Sequence, residues 1–122
     1  MTARRLLCTD LDRTLAPNGA QPEDPDARPR LWQALQQHGI ALAYVTGRHL
    51  ALVEALMAEY DLPRPDYLIG DVGTRIYSAT ADGWTPWPAW GEELGRDWFG
   101  LDSADIARLL HDIEGLEQQE PE

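Results

Sequence analysis

The sequence predicts an α/β fold built on a parallel sheet, and three observations carry that prediction. Leu6-Leu7-Cys8-Thr9 is an apolar run without polar alternation, Ile40-Ala41-Leu42-Ala43-Tyr44-Val45 is another, and a stretch with helical spacing separates them. Strands that show apolar residues on both faces belong to parallel sheets. A strand, a helix and a strand in succession imply a right-handed crossover and parallel pairing.

Taken in order, residues 6–9 are expected to form a strand buried on both faces, with Cys8 as a buried core thiol and Asp10 at the strand's carboxyl end. Residues 17–29 are rich in Pro, Asn, Gly and Asp and read as a loop. Pro29 suits the first turn of a helix, Leu31, Trp32 and Leu35 follow at helical spacing, and Gly39 is the stop. The strand at 40–45 leads into Thr46-Gly47-Arg48. A second helix is expected over 49–60, with Leu50, Val53, Leu56 and Met57 as its apolar stripe, ended by Asp61-Leu62-Pro63-Arg64-Pro65. Tyr67-Leu68-Ile69 is a third strand, Gly70-Asp71-Val72-Gly73 a turn, and Thr74-Arg75-Ile76-Tyr77 a hairpin strand followed by an Asp82-Gly83 turn. The segment holding Trp84, Trp87, Trp90 and Trp98 has weak periodicity. Residues 103–116 are expected to form a final amphipathic helix capped by Asp102 or Ser103, and the acidic tail from Glu117 to fray.

A chain of 122 residues with a formal charge of −11 fits one domain and opposes binding to nucleic acid or to an anionic membrane surface. All ten basic residues are arginines, scattered from Arg4 to Arg108, and there is no lysine. The single cysteine excludes an internal disulfide. The first apolar stretch ends at Asp10 and is too short for a signal peptide or a membrane span, so a cytoplasmic location is expected. His38, His49 and His111 lack metal-ligand spacing and are expected on the surface.

The strongest chemical signal is Asp10-Leu11-Asp12-Arg13-Thr14-Leu15, two carboxylates one residue apart directly after a buried strand. Ligands bind at the carboxyl ends of strands in open α/β sheets, and there both carboxylates can face one crevice. One can attack a phosphoryl group while the other protonates the leaving oxygen. Two like charges this close call for a divalent cation, and oxygen ligands with phosphate chemistry favour Mg²⁺. An Asp-rich turn would give the same pair without chemistry. Thr46 precedes a helix whose first amides can hold an anion, and capping that helix is its plainer role.

The hexapeptide resembles the Asp-x-Asp-x-Thr signature of the haloacid-dehalogenase superfamily, and Val45-Thr46-Gly47-Arg48 occupies the place of that family's second signature. From Tyr44 to Tyr77 the chain is similar to the sucrose-phosphate phosphatase-like subgroup, which carries a cap after the third strand. The resemblance implies a Rossmann-like parallel core over residues 1–80, incomplete in this chain, with 81–122 as the beginning of a cap or a truncated insert. It implies Asp10 as nucleophile, Asp12 as general acid/base, and Thr46, Gly47 and Arg48 as phosphate ligands. It also implies Mg²⁺ held by the Asp10 carboxylate and the Asp12 carbonyl. Arg13 departs from the small residue common at its position.

The family's lysine has no counterpart here, and its late Gly-Asp-x-x-x-Asp signature is imitated only by Gly70-Asp71, with Arg at position 75. Asp71 is therefore expected to be solvated. Besides the option that the sequence is a fragment of a longer product for which the family's function stands, two readings stay open. One is a Mg²⁺-dependent phosphatase acting on a phosphorylated sugar through an aspartyl-phosphate, with this chain supplying the nucleophile. The other is a non-catalytic remnant or regulatory module that self-associates or pairs with a complementing chain through an exposed sheet edge and the tryptophans.

Overall fold

The structure is a computed structural model and describes residues 4–118. Strands β1 (Arg5–Thr9), β2 (Ile40–Val45) and β3 (Tyr67–Gly70) run parallel, with Leu7 opposite Leu42 and Tyr44 opposite Leu68. Helix α1 (Ala27–Gln37) makes the first crossover and α2 (Leu50–Tyr60) the second. An antiparallel hairpin, β4 (Arg75–Thr80) and β5 (Gly83–Pro86), extends the sheet beyond β3, giving the order β1-β2-β3-β4-β5. The sequence-based α/β expectation holds, with a mixed sheet because the hairpin joins on one side.

Local chemistry explains the element ends. Pro29 is harmless in the first turn of α1, where its missing N–H would find no helical partner. Gly39 ends that region at φ 60°, a conformation that glycine takes without a Cβ clash. Asp61 plays the same part after α2 at φ 51°, and the Leu62 N–H reaches the Met57 carbonyl at 3.0 Å. The core lies under β2 and β3, where Leu42, Tyr44 and Leu68 pack with Leu35 of α1 and Val53 and Leu56 of α2. Tyr44 donates its hydroxyl to the Pro63 carbonyl, and burial pushes its pKa up. Arg28 pins the long Pro-rich loop, donating to Glu23 and to the carbonyls of Leu15 at 3.4 Å and Tyr60 at 3.2 Å.

β1 departs from expectation. Leu6 is 52% exposed and Cys8 is also exposed, so the strand is not buried on both faces and the thiol is not in the core. β1 is the outermost strand of the described sheet, and its apolar residues lack the neighbours that β2 has on both sides. His49 corrects the reading in the opposite direction. It is only 7% exposed, because it sits at the junction where the 46–48 turn enters α2.

Two of the tryptophans are tied to the hairpin, Trp84 within β5 and Trp87 directly after it. Trp84 donates to Glu54 at 3.0 Å and lies 4.8 Å beneath the Arg64 guanidinium, while Trp87 donates to Ser78 at 3.0 Å and meets Tyr67 edge-on. Weak periodicity had concealed β5, which is only four residues long.

The chain divides into two compact units, one reaching through Trp87 and the other starting at Pro88. The second holds α3 (Pro88–Gly95), which the sequence reading did not foresee, and α4 (Ser103–Leu110). Asp102 caps α4 in a reciprocal box with Asp105. α4 stops before the expected residue 116, because the Ile113 N–H bonds to the Leu110 carbonyl at 3.2 Å, a tightened turn that leaves the α-helical ladder. The expected frayed tail lies, from residue 119 on, outside the described residues. Among the described residues no helix is long and apolar enough to cross a membrane.

Candidate active site

The carboxyl ends of β1, β2 and β3 lie side by side and carry, in turn, Asp10 and Asp12, the Thr46-Gly47-Arg48 turn, and the 70–73 loop. Leu11 organises the first of these. It is fully buried, and its carbonyl accepts the N–H groups of Thr14 at 3.2 Å and Ala16 at 2.9 Å. With Leu11 anchored inward, the flanking residues remain accessible, Asp10 exposed and Asp12 partly so. Asp10 Oδ1 accepts the Leu11 N–H at 2.7 Å, which fixes the carboxylate, and Oδ2 meets the Thr14 hydroxyl at 3.5 Å. A separation of 3.5 Å is long for an O–H···O bond, so that oxygen keeps most of its capacity for a ligand.

Arg48 joins the first loop to the second. Its Nε lies 2.9 Å and 3.1 Å from the two Asp12 carboxylate oxygens, and Nη2 lies 2.7 Å from Oδ1. This fork-to-carboxylate arrangement is strong and directional. Asn18 adds a bond to Oδ1 at 2.8 Å. The Arg48 hydrogen bonds hold the Asp12 carboxyl below the usual carboxylate range against a push from partial burial, with Asn18 and Arg13 acting in the same sense as Arg48. Asp12 in turn raises the pKa of Arg48. Arg48, a phosphate ligand by resemblance, thus has its guanidinium on the Asp12 carboxylate.

Thr46 is 5% exposed, donates its N–H to the Ile69 carbonyl at 2.9 Å, and accepts the Arg48 N–H on its hydroxyl at 3.1 Å. Gly47 is exposed between them. The third loop is strapped to this turn by the Asp71 N–H, which donates to the Arg48 carbonyl at 3.0 Å. Gly70 allows that approach, since a Cβ there would meet the same carbonyl oxygen at 3.0 Å. Gly70→Ala is accordingly expected to push the loop off Arg48 and to cost about 1–3 kcal/mol. A fall in Tm with faster hydrogen exchange at the Asp71 amide would register it. Asp71, expected to be solvated, is partly buried, and its carboxylate lies 3.8 Å from Arg75 Nε.

Asn18 and the 70–73 loop were missed as parts of the site. Asn18 left a faint trace in Pro17-Asn18-Gly19, a turn-forming tripeptide; Gly70-Asp71 shows in the sequence only as an imitation of a metal-site signature, because only the pairing of β3 with β2 brings this loop against Arg48. Among the described residues no three His, Cys, Asp or Glu side chains gather as a metal-binding group. The oxygens of Asp10 and Asp12 suit a hard cation in kind, as a partial set that water and a phosphoryl group complete.

Comparison with known proteins supplies the family. The model of the sucrose-6F-phosphate phosphohydrolase family matches residues 3–122. A protein of Nitrosococcus oceani described as a HAD-like hydrolase is 54% identical over 122 residues, all of this chain and 33% of that protein. The mannosylfructose-phosphate phosphatase of Agrobacterium fabrum is 35% identical over 124 residues, covering 98% of this chain and 46% of that one. The Synechocystis sucrose-phosphatase solved with sucrose and phosphate superposes with a TM-score of 0.68 at 28% identity, over 98% of this chain and 45% of its own. The chain therefore spans between a third and a half of the length of these relatives. With the paired aspartates and the Thr-Gly-Arg turn at adjacent strand ends, these matches establish that the chain belongs to the sucrose-6F-phosphate phosphohydrolase family of haloacid-dehalogenase-like proteins.

Proposed function

We propose that this chain supplies the nucleophile and acid/base of a Mg²⁺-dependent phosphatase acting on a phosphorylated sugar in the cytoplasm. The observation that carries the reading is the pair of accessible aspartates flanking buried Leu11, joined through Arg48 to the Thr46-Gly47-Arg48 turn. Family membership supports it, as does the phosphorylated-sugar chemistry in the relatives' names. In the proposed reaction an Asp10 oxygen attacks phosphorus, the bond from phosphorus to the sugar oxygen breaks, and Asp12 gives that oxygen its proton. Water, losing a proton to Asp12, then attacks the phosphorus of the aspartyl-phosphate, and phosphate leaves with Asp10 restored.

Arg48 has two roles in this scheme. In the free chain it keeps Asp12 ionised, which suits the base but not the acid. Phosphoryl oxygens compete for the same guanidinium, and its transfer to them with Thr46 and Gly47 releases Asp12 to carry a proton. A Mg²⁺ ion held by the Asp10 carboxylate and the Asp12 carbonyl would supply charge neutralisation between the carboxylates and the phosphoryl oxygens. The experiment is phosphate release by the purified chain from a panel of hexose and disaccharide phosphates, with and without Mg²⁺. Mg²⁺-dependent release is expected, and no release above background would overturn autonomous catalysis.

A second reading, a non-catalytic module that self-associates or pairs with a complementing chain, is favoured by one observation. β1 stands at the outer edge of the described sheet with Leu6 and Cys8 exposed, and such an edge is a template for strand addition. This reading predicts a mass that rises with concentration in analytical ultracentrifugation and no turnover.

A further inference from the structure

Val72 stands in the left-handed region at φ 57°, directly after Asp71 at φ 49°. That region brings Cβ against the backbone, and for a β-branched residue it is a true outlier. Burial does not offset the strain, because Val72 is 83% exposed. The surroundings nevertheless impose the conformation. The Asp71 N–H is tied to the Arg48 carbonyl at 3.0 Å, and the Asp71 carbonyl accepts both the N–H and the hydroxyl of Thr74, at 3.2 Å and 2.8 Å. The result is an isopropyl group displayed beside the phosphate-site turn, its Cγ2 3.7 Å from where a Cβ of Gly47 would lie.

Strained residues of this kind concentrate where a site meets its ligand. Glycine or asparagine would adopt the same backbone with less strain, so the fold does not explain the valine. What distinguishes Val72 from either is an apolar, rigid, solvent-facing surface at the mouth of the site. We infer that Val72 is a specificity-determining contact for the leaving group, its isopropyl meeting the C–H face of a sugar ring whose phosphate lies on the Thr46-Gly47-Arg48 turn. The inference rests on the phosphate-site reading above and adds to it the part of the substrate that this loop recognises. Ring-bearing esters gain apolar contact there, whereas a phosphate group without a ring gains nothing.

The test uses the whole 122-residue chain and its Val72→Gly and Val72→Asn variants, with Mg²⁺ present. Two probes that cannot be hydrolysed are titrated calorimetrically: methylphosphonate, which presents the anionic head alone, and a glucose 6-phosphonate, which adds the ring. Both variants should have a higher Tm, because strain is relieved. Affinity for methylphosphonate should stay within about twofold, and affinity for the glucose phosphonate should fall about fivefold, the loss expected for one partly buried apolar contact. Higher Tm with an unchanged ratio of the two affinities would overturn the role of Val72 while leaving the phosphate site standing. A lower Tm in both variants would assign Val72 to packing and overturn the inference as well. Failure of the unaltered chain to bind methylphosphonate would overturn the phosphate-site reading and this inference with it.

Discussion

If the proposed reaction holds, Asp10→Asn is expected to remove Mg²⁺-dependent phosphate release, with a loss on the order of 10⁴-fold, down to background. The size follows from the chemistry, since an amide oxygen cannot form the aspartyl-phosphate and no parallel route bypasses a missing covalent nucleophile. The substitution also isolates that role. Asparagine has nearly the same shape, and its side-chain oxygen can still accept the Leu11 N–H that Asp10 accepts at 2.7 Å. Asp10 is exposed, so the core is untouched. Expected together are lost turnover, measured by a continuous phosphate assay, and an unchanged Tm. Retained turnover would remove Asp10 from the nucleophile's role, and a large fall in Tm would show that the carboxylate is structural.

Leu42→Ala is expected to have the largest effect on stability, about 3 kcal/mol. Leu42 is fully buried in the middle of β2, between β1 and β3. Its backbone is held by Asp66, whose carboxylate accepts the Leu42 N–H at 2.8 Å and whose own N–H donates to the Leu42 carbonyl at 2.8 Å. This scaffold keeps the neighbouring strands from collapsing into the vacated space, so a cavity persists and the cost exceeds simple transfer of three carbons to water. For a chain of this size that corresponds to a Tm lower by about 12 °C, measurable by calorimetry. Leu6→Ala is the paired control. Leu6 is 52% exposed on the outermost strand, and its loss should cost no more than about 0.5 kcal/mol. A cost for Leu6 equal to that for Leu42 would mean that the outer strand is covered in solution, as the module reading requires.

Much of the fold was legible because its signals are local. The strand at 40–45 and the helix that follows it could be read from apolar runs, from a helical stripe and from Gly39, each a property of a few consecutive residues. β5 and α3 were not legible, because four to eight residues among tryptophans and prolines carry too little periodicity. The exposure of Leu6 and Cys8 could not be read either. An apolar strand has the same sequence whether its sheet continues beyond it or ends there, and only the strand order tells the two apart.

The same division runs through the site. The sequence by itself determined the chemical groups: two aspartates one residue apart, a threonine and an arginine after the next strand, and no lysine. Only the tertiary structure decided their partners. It turned Arg48 onto Asp12, thirty-six positions away, brought Asn18 to the same carboxylate, and pressed the 70–73 loop against the Arg48 carbonyl, leaving Val72 strained and exposed. Spacing along the chain can place groups at strand ends, but a guanidinium fork chooses among carboxylates and phosphate by distances that the parallel pairing of separate strands sets.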